Sequence, residues 1–262
     1  MRIPKRIRPV LRRVVPDSLR TYRGDLWRRR LVAATDRLWR ETGGVVQGGP
    51  FAGMTYTRTE YSQLGPKLLG TYEQETREFV RRVIAADPPC VINVGAAEGY
   101  YAVGLLTRTR RMRVSAFERN EEGRTLMREL AELNGVADRL EIHGDCTPGA
   151  LSTCLAEWPA SPLLIDIEGG ERHLLDPVAV PELAKCEILV EMHEFLAPGV
   201  TAQILERFEP THSVRRIPAE ERTARAIPAV AGLSASDRVR VAFERSAEDQ
   251  EWLWLAPHPP GL

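Results

Sequence analysis

The chain has 262 residues, of which 43% are hydrophobic and 27% are charged. These proportions are typical of a soluble globular protein, and they exclude a disordered chain, a collagen-like repeat and a disulfide-stapled miniprotein. No apolar run approaches the roughly 18–20 residues that cross a bilayer, so the sequence predicts no transmembrane helix. At about 100–200 residues per domain, the length predicts one large domain or two small ones.

The formal net charge is zero, but the charges are unevenly distributed. Residues 1–40 contain 13 Lys and Arg against 3 Asp, so this segment carries +10 and the remainder carries −10. A neutral chain with a basic N-terminal segment and an acidic body is not typical of a dedicated nucleic-acid-binding protein. The four cysteines have neither C-x-x-C nor zinc-ligand spacing, which favours a reduced, cytoplasmic protein.

The N-terminal part of the chain predicts an arm, a helix and a cover. Residues 1–16 mix arginine with proline and predict an irregular arm, whereas the apolar spacing in 17–40 predicts a helix. We expect this helix to pack on the main domain; weak peripheral contact with an anionic membrane, through residues 1–40, is the alternative. Residues 41–72 are rich in glycine and aromatic residues and predict a loop-rich lid over an active site.

From residue 73 to the C-terminus, predicted helices alternate with continuously apolar strands. This alternation indicates an α/β domain at 73–262 with a doubly wound, mostly parallel, Rossmann-like sheet of about seven strands. The predicted strands are 90–94, 113–117, 140–143, 163–167, 187–191, 212–217 and 252–255. The predicted helices are 73–86, 100–107, 121–134, 148–157, 178–184 and 201–208, and 218–250 predicts a variable excursion.

The first predicted strand ends in a glycine turn, NVGAAEG, at residues 93–99. Ligands of open parallel sheets bind at the carboxyl ends of the strands, where Gly95 permits close approach. The turn lacks the second glycine of the dinucleotide fingerprint and the Gly-Lys-Ser/Thr of a P-loop. Glu98 would repel a pyrophosphate but suits a cationic sulfonium, which indicates S-adenosylmethionine. Glu118 ends the second strand, where an acid binds ribose hydroxyls.

These features resemble the class I S-adenosylmethionine-dependent methyltransferases over about residues 85–200. NVGAAEGYYAVGLL is similar to their glycine-loop motif, although Asn93 stands where they often have an acid. The resemblance implies that Gly95, Glu118 and Asp145 bind the cofactor, with Asp145 near the adenine. The full predicted cofactor set is Asn93, Gly95, Ala96, Glu98, Gly99, Glu118, Asp145 and, from the lid, Tyr72.

A narrower resemblance is carried by LLIDIEGGERHLL at 163–175. It is similar to the FkbM-type family, in which a D-x-E-G-x-E pattern is met here by Asp166, Glu168, Gly169 and Glu171. The segments GPFAGMTY, LGTYEQE and EILVEMHEF are also similar to such enzymes. Members of this family are mostly O-methyltransferases, so the resemblance implies a hydroxylated small-molecule acceptor such as a sugar or natural product.

An acid and histidine cluster is predicted beside the reacting methyl group. Asp166 ends the fourth predicted strand, and Glu191 and His193 end the fifth. A hydroxyl must lose its proton to become a good nucleophile, so we predict His193 as base, with Asp166 and Glu191 as its catalytic partners. The competing interpretations are a magnesium site formed by Asp166, Glu168 and His193, and a purely structural histidine.

Two other functions stay open at this point. A nucleic-acid or other macromolecule methyltransferase would use the basic arm, but the sequence has no Asp/Asn-Pro-Pro-aromatic motif for amino-group methylation. A non-catalytic methyltransferase-like module would bind a partner through residues 1–40. The sequence also leaves a homo-oligomer open, and it does not identify the acceptor.

Overall fold

The computed structural model describes residues 17–220, 227–244 and 251–259, and the backbone only for 17–24. The predicted arm at 1–16 lies outside the described residues, as do two stretches in or near the predicted excursion, at 221–226 and 245–250. Among the described helices, none is long and apolar enough to cross a membrane.

A seven-stranded sheet forms the centre of the structure, in the order β3-β2-β1-β4-β5-β7-β6. The first five strands pair in parallel, and β7 runs antiparallel to both β5 and β6. This confirms the predicted doubly wound, mostly parallel sheet. The strands are β1 (Cys90–Val94), β2 (Arg113–Phe117), β3 (Leu140–His143), β4 (Leu163–Ile165), β5 (Ile188–Met192), β6 (His212–Pro218) and β7 (Glu251–Pro257).

Helices cover the sheet and precede it. In the described residues they are α1 (Asp17–Thr42), α2 (Leu64–Leu69), α3 (Arg77–Ala86), α4 (Tyr100–Arg108), α5 (Glu121–Leu133), α6 (Pro148–Glu157), α7 (Glu171–Leu174), α8 (Val200–Phe208) and α9 (Ala235–Val241). Short 3-10 turns lie at Gln74–Thr76, Ala137–Arg139 and Pro181–Lys185.

Three sequence predictions are wrong in detail. The loop-rich segment contains α2, which forms because all six of its residues are buried and Gly70 ends it in the left-handed conformation. The helix predicted at 178–184 is only the 3-10 turn Pro181–Lys185. The fourth strand ends at Ile165, so Asp166 lies in the loop that follows it rather than inside the strand.

The core lies on both faces of the sheet, as expected for strands such as β1 whose five residues are all buried. One face carries the cover, which we define as residues 45–76. Phe51 of the cover is fully buried and packs edge-on to Tyr100, with ring centroids 5.2 Å apart. The cover is therefore a packed layer of the protein and not a loose connector.

Candidate cofactor pocket and catalytic cluster

A cavity of about 530 Å³ opens at the carboxyl ends of β1, β2 and β4. This volume lies within the roughly 300–1,000 Å³ of typical small-molecule sites. The position is the switch point of the sheet, because β1 pairs with β2 on one side and with β4 on the other. Its wall comprises Tyr61, Val94, Gly95, Ala97, Phe117, Glu118, Arg119, Gly144, Asp145, Cys146, Thr147, Pro148, Asp166, Ile167, Glu168, Gly170, His173 and Leu174.

Gly95 forms the floor of this cavity, as predicted. Its φ is +75°, and a Cβ at this position would overlap the backbone oxygen of Asp166. The N–H groups of Gly95 and Ala96 both donate to the carbonyl oxygen of Phe117, at 2.9 and 3.0 Å. Only glycine can bring β1 this close to the loop after β4.

Glu118 lies at the edge of the cavity in a fixed orientation. One carboxylate oxygen accepts the Ala97 N–H at 2.8 Å, and the other accepts the Asn120 N–H at 2.7 Å. A carboxylate has about four lone-pair sites, so these two bonds leave capacity for hydroxyl donors. The side chain is thus held where a ribose could be recognised.

The wall beside Glu118 is partly aromatic. Phe117 lines the cavity, and its ring stacks on the His143 imidazole with centroids 4.6 Å apart. Asp145 lies in the exposed part of the wall, in the loop that follows β3. Tyr61, Arg119 and His173 also line the cavity, and none of them belongs to the predicted cofactor set.

Glu98, a member of the predicted cofactor set, lies outside the cavity wall. Its side chain is fully buried and forms an ion pair with Lys67, whose Nζ lies 2.6 Å away. The Tyr56 hydroxyl donates to the same carboxylate oxygen at 2.6 Å, and the Ser62 hydroxyl also donates to it. Burial alone would raise the pKa of Glu98, but Lys67 and these hydroxyls hold it below its usual value. The carboxylate is therefore paired within the cover and does not line the cavity.

Four other predicted cofactor residues do not line the cavity. Asn93 is buried in β1, where its side-chain amide donates to the Leu164 carbonyl at 3.2 Å. Ala96 and Gly99 lie within the turn, behind its surface. Tyr72 packs against Tyr100, with ring centroids 5.3 Å apart. These residues shape the turn and the cover.

The acid and histidine cluster forms as the sequence predicts. The Nε2 atom of His193 lies 3.5 Å from Asp166, 3.4 Å from Glu168 and 3.6 Å from Glu191. The strand ends bring these side chains together because β4 and β5 are parallel neighbours. Asp166 and Glu168 line the cavity, whereas His193 and Glu191 are buried behind them.

A fourth carboxylate fixes the histidine ring from the opposite side. The Nδ1 atom of His193 lies 2.7 Å from the buried Glu171 carboxylate. Burial would lower the pKa of His193, but the hydrogen bond to Glu171 and the charge of Asp166 raise it above its usual value. Burial would raise the pKa of Glu171, and the bond to His193 lowers it. The ring is thus held by Glu171 through Nδ1, and its Nε2 atom faces Asp166.

The same cluster has ligand atoms suited to a divalent cation. Asp166, Glu191 and His193 each offer one atom, and the three atoms lie within 4.8 Å of one another. Two ligands of one ion, each about 2.1 Å from it, are roughly 3.0–3.4 Å apart. The observed nitrogen–oxygen separations are only slightly wider, so the donor set fits such an ion. Glu191 belongs to this group, whereas the predicted ligand Glu168 does not.

Glu73 adds a buried carboxyl group from the cover. Its backbone is left-handed, with φ 41°, and its side chain accepts the Tyr101 hydroxyl at 2.7 Å. Burial and the nearby charge of Asp166 raise the pKa of Glu73 to about 8. Glu73 is thus a buried carboxyl group of the cover with a left-handed backbone, and it does not line the cavity.

No family model matches the sequence, and no curated protein matches it. Solved structures do resemble the fold. An O-methyltransferase from Bacillus cereus, in complex with SAH, is 12% identical, with 86% of this chain and 90% of that chain covered and a TM-score of 0.46. TomG from Streptomyces achromogenes, an O-methyltransferase in complex with SAM, is 13% identical, with 77% and 91% covered and a TM-score of 0.46.

A third solved structure is the cofactor-bound Rv0187 from MTB. It is 15% identical, with 86% of this chain and 87% of that chain covered and a TM-score of 0.46. At sequence identities of 12–15%, a structural similarity concerns the fold and not the function. The seven-stranded sheet with its antiparallel β7 is the Rossmann-like fold of class I methyltransferases.

Proposed function

We propose that the protein is an S-adenosylmethionine-dependent O-methyltransferase of the FkbM type. Its acceptor in this proposal is a hydroxyl group of a small molecule such as a sugar or natural product. The observation that carries the proposal is the cavity at the switch point, which runs from Glu118 past Gly95 to Asp166. In this proposal the Glu118 carboxylate at one end binds the ribose, and Asp166 at the other end acts as the base.

In this proposal different wall residues contact different parts of the cofactor. Glu118 accepts hydrogen bonds from the ribose hydroxyls, and the Phe117 ring contacts the adenine, with Asp145 at its outer edge. When bound, S-adenosylmethionine supplies a methyl group activated by a positively charged sulfur. Gly95 leaves the cavity open beside Asp166, where the methyl-donating end of the cofactor would be held close to an acceptor.

Asp166 is the group that meets the acceptor hydroxyl. It faces the cavity, whereas His193 is fully buried behind it. Asp166 accepts the hydroxyl proton, and the His193 ring, which Glu171 holds through Nδ1, lies 3.5 Å from Asp166 and supports its charge electrostatically. If a magnesium ion occupies the cluster, Asp166, Glu191 and His193 hold it, and it lowers the pKa of the hydroxyl.

Calorimetric titration with S-adenosylmethionine and S-adenosylhomocysteine tests the cofactor. We expect the wild type to bind both, and Glu118→Ala to weaken binding at least several-fold. Glu121→Ala is the matched control, because Glu121 is an exposed acid at the start of α5 that does not line the cavity. Absence of binding by the wild type would refute the proposed function, and equal affinity of the two variants would refute the ribose role.

A further inference from the structure

Tyr61 is the one wall residue of the cavity that the described part of the cover supplies. The other wall residues belong to the strand ends, to the loops that follow them, and to the start of α6 and the short helix α7. Tyr61 therefore joins the cover to the pocket directly. The predicted lid residue Tyr72, in contrast, packs on Tyr100 and does not line the pocket.

A glycine in α5 makes room for the Tyr61 hydroxyl. A Cβ on Gly123 would lie 2.8 Å from that hydroxyl, 3.0 Å from the Cγ of Glu118 and 3.1 Å from the carbonyl oxygen of Ala97. These three groups thus converge over the first turn of α5, beside the proposed ribose acid. Glycine inside a helix costs about 1 kcal/mol relative to alanine. The close approach of Tyr61 and Glu118 explains why position 123 has a glycine despite that cost in stability.

The residue next to Tyr61 is fixed to the glycine turn. The Ser62 hydroxyl donates to Glu98, and Lys67 donates to the Ser62 oxygen at 2.8 Å and to Glu98 at 2.6 Å. Glu98 directly follows Ala97, whose N–H binds Glu118. A chain of short polar contacts therefore fixes the position of Tyr61 relative to the ribose acid.

We propose that Tyr61 is a cofactor-binding residue that covers the adenosine side of the pocket, and that Ser62 positions it. The proposal rests on the proposed function, since it names a further contact for the same ligand. Burial and the charge of Glu118 raise the pKa of Tyr61, so its hydroxyl stays protonated and can donate to the ribose or to Glu118.

Titration of variants with S-adenosylmethionine and S-adenosylhomocysteine tests this contact. Tyr61→Ala should weaken both ligands by about tenfold, which equals about 1.4 kcal/mol. Tyr61→Phe separates the hydroxyl from the ring and should give a smaller loss. Glu60→Ala is the matched control, because Glu60 is exposed in the same segment and lies outside the pocket wall; it should bind as the wild type does.

A kinetic measurement tests the positioning role of Ser62. Ser62→Ala should speed the dissociation of S-adenosylhomocysteine in stopped-flow displacement, whereas a merely structural role would lower the melting temperature and leave that rate unchanged. If the wild type binds and Tyr61→Ala matches Glu60→Ala in affinity, the Tyr61 proposal is overturned while the proposed function stands. If the wild type binds neither ligand, both proposals fail.

Discussion

Replacing Lys67 by methionine tests the buried ion pair that fixes the cover. Lys67 and Glu98 have side chains 3% and 0% exposed, so Lys67→Met leaves a carboxylate buried without its cation. Breaking a buried pair on one side costs about 3–5 kcal/mol of unfolding free energy. At about 2–4 °C per kcal/mol for a chain of this size, the melting temperature should fall by roughly 6–20 °C.

The double variant Lys67→Met/Glu98→Gln separates charge from packing. It removes both charges and keeps a hydrogen-bond acceptor for Tyr56, so most of the lost stability should return. Urea unfolding of the wild type, the single variant and the double variant measures these differences. A loss below about 1 kcal/mol in the single variant, or no recovery in the double variant, would contradict an uncompensated buried charge as the cause.

The same variants predict a defined pH dependence. In the wild type the pKa of Glu98 is held low, so the stability from the pair is present at neutral pH and is lost as the pH falls through that pKa. In Lys67→Met the unpaired carboxylate stays buried, and we expect burial to raise the pKa of Glu98. As the pH falls, Glu98 becomes protonated, and the free-energy cost of its buried charge disappears. The stability difference between the two proteins should therefore be largest near pH 7 and shrink towards about pH 4.

Three further predictions concern the pocket and its supports. Gly95→Ala should destabilise the protein by several kcal/mol and abolish cofactor binding, because its Cβ would overlap the Asp166 backbone; thermal unfolding and calorimetry measure both. Magnesium ions should raise the melting temperature of the wild type but not of Glu191→Gln, and no shift in the wild type would argue against a cation site. Asn120→Ala should cost about 1 kcal/mol in urea unfolding, because the Asn120 side chain accepts the Glu122 N–H at 2.9 Å and caps α5; an unchanged midpoint would contradict this.

The parallel sheet could be predicted because each strand can be recognised from the sequence of its own segment. The bounds of β1, β2 and β3 match the predicted bounds residue for residue. The meeting of Asp166 with His193 followed from the same source, since parallel strands place their carboxyl ends together. The local sequence pattern and the parallel topology were therefore sufficient to predict the sheet and the acid and histidine cluster.

The role of Glu98 could not be predicted in this way. Its partner Lys67 lies 31 positions earlier in a segment that reads as loop, and no periodicity links the two residues. Tyr61 was missed for the same reason, because its approach to Gly123 depends on how the cover folds back. A glycine inside a predicted helix was the one available signal of a close neighbour.

The packing of Phe51 and Lys67 has a consequence for engineering. A fragment that starts at residue 73 would lack the ring that packs edge-on to Tyr100 and the ammonium that neutralises Glu98. Such a truncation would expose an apolar surface and leave a buried carboxylate beside the glycine turn. Chimeras that exchange the N-terminal segment to alter acceptor choice should therefore transfer residues 45–76 together with matching residues of α4, as a single unit.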